Sequence, residues 1–149
     1  MLKKILVATD GSKLASKAIE TAVDLAKQNQ AKLYILTVVP EAAYYEHYPM
    51  VFPYGPEVLK ANEERAKVLL DEAKKQVAYD GNVETYYALG SAGKEIIDFS
   101  NDHDVDLIVL GNRGLGAFSR TLLGSVSNKV INHSQRSVLV VKDLEEEAQ

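Results

Sequence analysis

Residues 111–128 read GNRGLGAFSRTLLGSVSN and hold four of the chain's nine glycines between Gly111 and Gly124. They continue the apolar run DLIVLG, which reads as a buried strand. One glycine at a strand end is ordinarily a turn residue, but this pattern is richer. Gly111 and Gly114 flank Asn112-Arg113, and Gly124-Ser125 then opens a short helix. A helix N-terminus carries about half a unit of positive charge and several unpaired N–H donors, which suits a phosphate. A glycine there lets the phosphate approach the main chain without meeting a Cβ. Ser125 adds a hydroxyl donor, Arg113 a cation at the mouth, and Arg120 could add a second.

Other chemistries fit less well. GSAGKE at 90–95 has a Gly-Lys pair but lacks the first glycine of a P-loop and a Ser or Thr after the lysine. Gly111-x-x-Gly114-x-Gly116 reverses the dinucleotide fingerprint, and GSVSN lacks the G-x-S-x-G order of a nucleophile elbow. The chain has no cysteine, which removes disulfides, thiol catalysis and zinc–thiolate sites together. The run Asp102-His103-Asp104-Val105-Asp106 is dense in potential metal ligands, but adjacent residues rarely converge on one ion, and a solvated loop is expected. His47 falls in a loop that could reach a ligand. His133 is expected to interact with a helix C-terminus.

These residues must be held by a fold. At 149 residues, 46% of them apolar and 26% charged, one domain with a sizeable core is expected. The net charge of −4, with no basic stripe, argues against a nucleic-acid partner. No apolar run approaches the ~18 residues of a membrane span. MLKKILVATDG imitates a signal peptide, but its apolar run is too short and ends at Asp10, so the expected location is the cytoplasm.

Lys4–Thr9 and Lys32–Val39 read as strands buried on both faces. Between them Ser12 can cap a helix whose face is Leu14, Ala18, Ile19, Ala22, Val23 and Ala26. A loop over 42–56 follows, rich in Pro and Tyr; the segment from Pro40 to Pro56 holds all four prolines and four of the eight tyrosines. Loops this long are usually functional or disordered, and a covering segment or a packed excursion fits equally. Glu57–Tyr79 reads as a long amphipathic helix stopped by Asp80-Gly81, with Glu63 and Lys67 in the favourable i,i+4 order. Val83–Leu89, Asp106–Leu110 and Ser137–Val141 are further strands, alternating with short helices at Ala92–Asn101 and Gly124–Ser134. Residues 143–149 form an acidic tail. Strictly alternating β and α elements call for a mostly parallel open sheet with helices on both faces. Ligands bind such sheets beyond the carboxyl ends of the strands, where the strand order reverses. ATDGS after the first strand and the glycine stretch after the fourth both stand at such ends.

Taken together, Gly111-x₂-Gly114-x₉-Gly124-Ser125 resembles the G-2x-G-9x-G-[ST] signature of the nucleotide-binding branch of the universal stress proteins. The resemblance spans the whole chain, including ILVATDGS, DLIVLG and SVLVVK. It implies a single-domain α/β fold, an open five-stranded parallel sheet of order 3-2-1-4-5, with Asp10 and the glycine loop side by side. It further implies that Gly111, Arg113 and Gly114 lie along the ribose and phosphates of an adenine nucleotide, and that Gly124, Ser125 and Val126 donate to the phosphates. Ala8, Thr9 and Asp10 would frame the nucleoside, and Val38 would offer its backbone to the adenine edge. Ser137 stands where many members have proline, and Asn112 where serine is common. A homodimer paired through Ser137–Lys142 is also implied, and an edge strand this apolar needs covering.

ATP carries about four negative charges, more than one or two arginines and a helix end worth about half a charge can balance. A divalent cation such as Mg²⁺, held mainly by phosphate oxygens, resolves the deficit. Asp10 could reach that ion directly or through water; alternatively it serves only as a helix-entry residue beside the Ser12 cap. No residue stands out as a general base. The expected function is therefore an ATP-binding (or AMP- or ADP-binding) stress-response regulator, with slow hydrolysis or none. The alternatives are an ATP-using hydrolase or transferase of the same fold, whose S-G-G-x-D-S loop TDGS does not match, or an interaction module that binds no nucleotide.

Overall fold

The strands β1 (Lys4–Ala8) and β4 (Leu107–Gly111) are almost wholly apolar because both of their faces are covered. In β1, Ile5 and Val7 enter one core while Leu6 enters the other, and all three are fully buried. Each such side chain contributes roughly 1.5–3 kcal/mol through burial, so the two central strands anchor the fold. This computed structural model describes residues 1–39, 56–112 and 123–143. Within them the order is β1, α1 (Lys13–Asn29), β2 (Lys32–Val39), α2 (Pro56–Gln76), β3 (Val83–Leu89), α3 (Ala92–Asp102), β4, α4 (Ser125–His133) and β5 (Ser137–Val141).

The sheet is parallel throughout, ordered β3-β2-β1-β4-β5, as expected from the sequence. Its chirality decides where the helices lie. Crossovers between parallel strands are right-handed, so the path from β1 out to β3 lays α1 and α2 on one face. The chain then jumps from β3 back past β1 to β4, reversing direction, and α3 and α4 fall on the opposite face. The two cores follow this division: Ala18, Ile19, Ala22, Leu70 and Ala73 pack on Ile5 and Val7, whereas Ile96 and Val130 pack with Leu6 and Ile108.

α1 begins where Ser12 Oγ accepts from the Ala15 N–H at 3.1 Å, and it ends on Gln30 at φ 52°. α2 stops three residues before the expected Tyr79. Val77 and Tyr79 both pack against the α1/α2 core, and the Tyr79 hydroxyl donates to the Ala31 carbonyl at 2.7 Å, an anchor that draws the chain off the helix axis. Lys67 and Glu63 do pair on α2, at 3.6 Å. The expected loop over 42–56 and the tail beyond Asp143 lie outside the described residues, apart from the start of α2. No described helix is long and apolar enough to cross a membrane.

The segment 102–106 is more than a solvated loop. The Asp106 carboxylate accepts from the Lys3 and Lys4 N–H groups, both at 2.9 Å, joining the start of β4 to the start of β1. The His103 ring stacks on Phe99 with centroids 3.8 Å apart, and Nδ1 lies 3.0 Å from the Phe99 carbonyl. No cluster of three potential metal ligands occurs among the described residues.

Candidate functional site

β1 and β4 are hydrogen-bonded neighbours, with Val7 opposite Val109, yet their outgoing chains diverge to opposite faces of the sheet. β1 feeds α1 and β4 feeds α4, so a crevice opens between two helix N-termini at the carboxyl edge. This is the switch point of a doubly wound sheet. The β1–β4 pairing brings Thr9-Asp10-Gly11 to the same carboxyl edge as Gly111-Asn112; the glycine loop from Arg113 to Leu122 lies outside the described residues.

The β1 side is closely knit. The Thr9 N–H continues the ladder to the Leu36 carbonyl at 2.9 Å, and its hydroxyl accepts from the Gly11 N–H at 3.2 Å. Asp10 is exposed, and its Oδ1 accepts from the Ser12 N–H at 3.0 Å. The carboxylate thus takes part in the helix entry, while its exposure leaves it at the crevice mouth. Gly11 has φ +83°, a conformation in which side chains are strained.

On the β4 side Gly111 has a specific neighbour. A Cβ at this position would lie 3.0 Å from the Leu14 carbonyl oxygen, so the missing side chain is what lets the first turn of α1 close onto the end of β4. The family resemblance implies a place for Gly111 along the ribose and phosphates; the structure adds a packing reason for its lack of a side chain. Ala8, Val38 and Val126, three expected site residues, are half-buried and pack against the α3/α4 core.

α4 starts differently from α1. Its N-cap is Gly124, which has no side chain to satisfy the first turn. The first intrahelical bond runs from the Asn128 N–H to the Gly124 carbonyl at 2.9 Å. The N–H groups of Ser125, Val126 and Ser127 precede it and have no acceptor within the helix. Gly124 adopts φ −63° and ψ 161°, open to any residue, so its backbone does not require glycine. Ser125 is exposed, and Ser127 is buried.

Asn112 is the residue sequence reasoning passed over. It is 6% exposed, its N–H donates to the Val141 carbonyl at 2.9 Å, and its Oδ1 accepts from the Gly124 N–H at 2.7 Å. An amide placed between two glycines directly after a buried strand was a legible signal; its partner twelve positions on was not. Arg113, Gly114 and Arg120 lie outside the described residues, as does His47.

Comparison with known proteins places this arrangement. Residues 1–142 match the profile of the Universal stress protein family. Universal stress protein YxiE of Bacillus subtilis is 38% identical over 95% of this chain and its own full length. The structure of universal stress protein UspA from Lactobacillus plantarum is similar at a TM-score of 0.79, with 34% identity over 94% of this chain and 97% of that one. A universal stress protein crystallised in complex with cAMP is 26% identical, with a TM-score of 0.65 over 95% of this chain and 97% of that one. With its sheet order and these relatives in agreement, the chain belongs to the universal stress protein family.

Proposed function

We propose that this protein binds an adenine nucleotide, ATP with Mg²⁺ or its di- or monophosphate, across the β1/β4 crevice, and acts as a nucleotide-dependent regulator with little hydrolysis. The observation that carries this reading is the uncapped N-terminus of α4 at the switch point. Three successive N–H groups precede the first helical bond, behind a glycine that its own backbone conformation does not demand. A phosphate is an acceptor suited to these N–H groups and complements the helix dipole. The relative crystallised with cAMP supports an adenylate as the occupant. In this reading Ser125 and Val126 receive the phosphates, with Arg113 and Gly114 beside them. Ala8 and Val38 offer an apolar surface to the base, and Asp10 holds the cation directly or through water.

Regulation by a nucleotide requires that it favour one of two states, and assembly through β5 is the natural candidate. β5 is an edge strand with Leu139 exposed, so a second copy pairing along Ser137–Lys142 would cover it. The reading is tested by denaturing protein purified without added nucleotide and identifying what it releases. ATP, ADP or AMP in a fixed ratio to the chain is expected, together with very slow ATP turnover. Empty protein that also fails to take up any adenine nucleotide would refute it, and turnover at ordinary enzymatic rates would favour the hydrolase.

A further inference from the structure

We infer that Asn112 is a positioning residue: its side chain latches the end of β4 to the start of α4 and thereby presents the α4 N-terminus to the crevice. Asn112 directly follows β4, and both its main chain and its side chain are engaged. Its main-chain N–H is tied to the Val141 carbonyl of β5, and its side-chain Oδ1 takes the Gly124 N–H. The helix start is thus referred to the edge of the sheet by one buried side chain.

The latch also selects donors. Gly124 has no side chain of its own to cap α4, and its N–H is already spent on Asn112, so an incoming anion meets the N–H groups from Ser125 onward. A hydrogen bond with an N–H donor requires an acceptor at this atom, and the amide oxygen supplies one without charge. A carboxylate would accept the same bond but would set a negative charge beside the phosphate. An uncharged acceptor therefore reconciles loop closure with anion binding, which accounts for asparagine at this position.

The consequence for ligands rests on the nucleotide-binding reading; the latch does not. The test measures amide exchange at Gly124 in the unliganded protein, and the affinities for AMP and adenosine, in wild type, Asn112→Ala and Asn112→Asp. The latch predicts slow exchange at Gly124 in wild type and in Asn112→Asp, and exchange at least about tenfold faster in Asn112→Ala, with Val130 unchanged, as expected from losing one buried hydrogen bond. Affinity for AMP should fall about tenfold or more in both variants, in Asn112→Ala through lost placement and in Asn112→Asp through added charge, while adenosine affinity stays the same. Gly124 exchange equally fast in wild type and Asn112→Ala would overturn the latch. Unchanged AMP affinity in Asn112→Ala, or equal losses for adenosine and AMP, would overturn its positioning role. Should Asn112→Ala fail to fold, slow Gly124 exchange in Asn112→Asp with weakened AMP binding upholds the proposal, and fast exchange there overturns it. A wild type that binds neither ligand would refute the nucleotide reading while Gly124 exchange still decided the latch.

Discussion

Two glycines of one motif do different work. At Gly111 a Cβ would press on the Leu14 carbonyl, a main-chain atom that cannot swing aside as a side-chain tip can. Gly111→Ala is expected to cost about 1–3 kcal/mol of stability, the usual range for overpacking, measured by denaturant unfolding. Gly124 sits in an extended conformation that valine can adopt. Gly124→Val should therefore fold, at a cost of about 1 kcal/mol for an unfavourable N-cap residue, and lose nucleotide binding, because its branched side chain would stand at the approach to the α4 N–H groups. The motif was legible as a whole because its spacing is regular. The separate duty of Gly111 was not, since Leu14 belongs to a distant segment and meets it only through the β1–β4 pairing.

Helices and strands carry the site by their ends. Ser12 caps α1 through its hydroxyl, and Ser12→Ala is expected to cost about 1 kcal/mol, seen as a lower unfolding midpoint. At the opposite end of the sheet, the Lys3 N–H, with that of Lys4, holds the Asp106 carboxyl below its ordinary value, against a smaller opposing effect of burial. A carboxyl with a depressed folded-state pKa stabilises the fold fully above its unfolded value of 3.8, and that contribution disappears as pH falls through the folded value. Asp106→Asn should therefore lower stability at pH 7 and narrow the gap to wild type in strong acid, followed by urea unfolding across pH. An unchanged gap from pH 7 to pH 2 would contradict this role. Most element bounds were readable from apolar periodicity and caps; Gly124 and Ser134 do bracket α4. The end of α2 was not, because a tertiary hydrogen bond from Tyr79 overrides the local helix pattern.

In the whole molecule, the reversal of strand order sets the crevice, and β5 is the edge strand on which the proposed dimer would pair. The order was legible because alternating β and α elements leave few right-handed solutions, and the family resemblance picked one. The ion pair between Lys17 and Asp143, 2.8 Å long and partly exposed, ties the segment after β5 to α1. Such pairs contribute at most about 1 kcal/mol, so ladder hydrogen bonds from β4 do more to hold β5 in place. Leu139→Asp on this edge is expected to yield a folded monomer where wild type sediments as a dimer; wild type sedimenting as a monomer would remove the β5 interface. The central claim is that a nucleotide is received at the α4 N-terminus, and thermal unfolding of nucleotide-free protein with added ATP and Mg²⁺ tests it most directly. At about 100 times its dissociation constant a ligand stabilises by roughly 2.7 kcal/mol, so the wild-type midpoint should rise clearly and that of Gly124→Val should not move. A wild-type midpoint indifferent to ATP, ADP and AMP, or an equal rise in both proteins, would contradict the account.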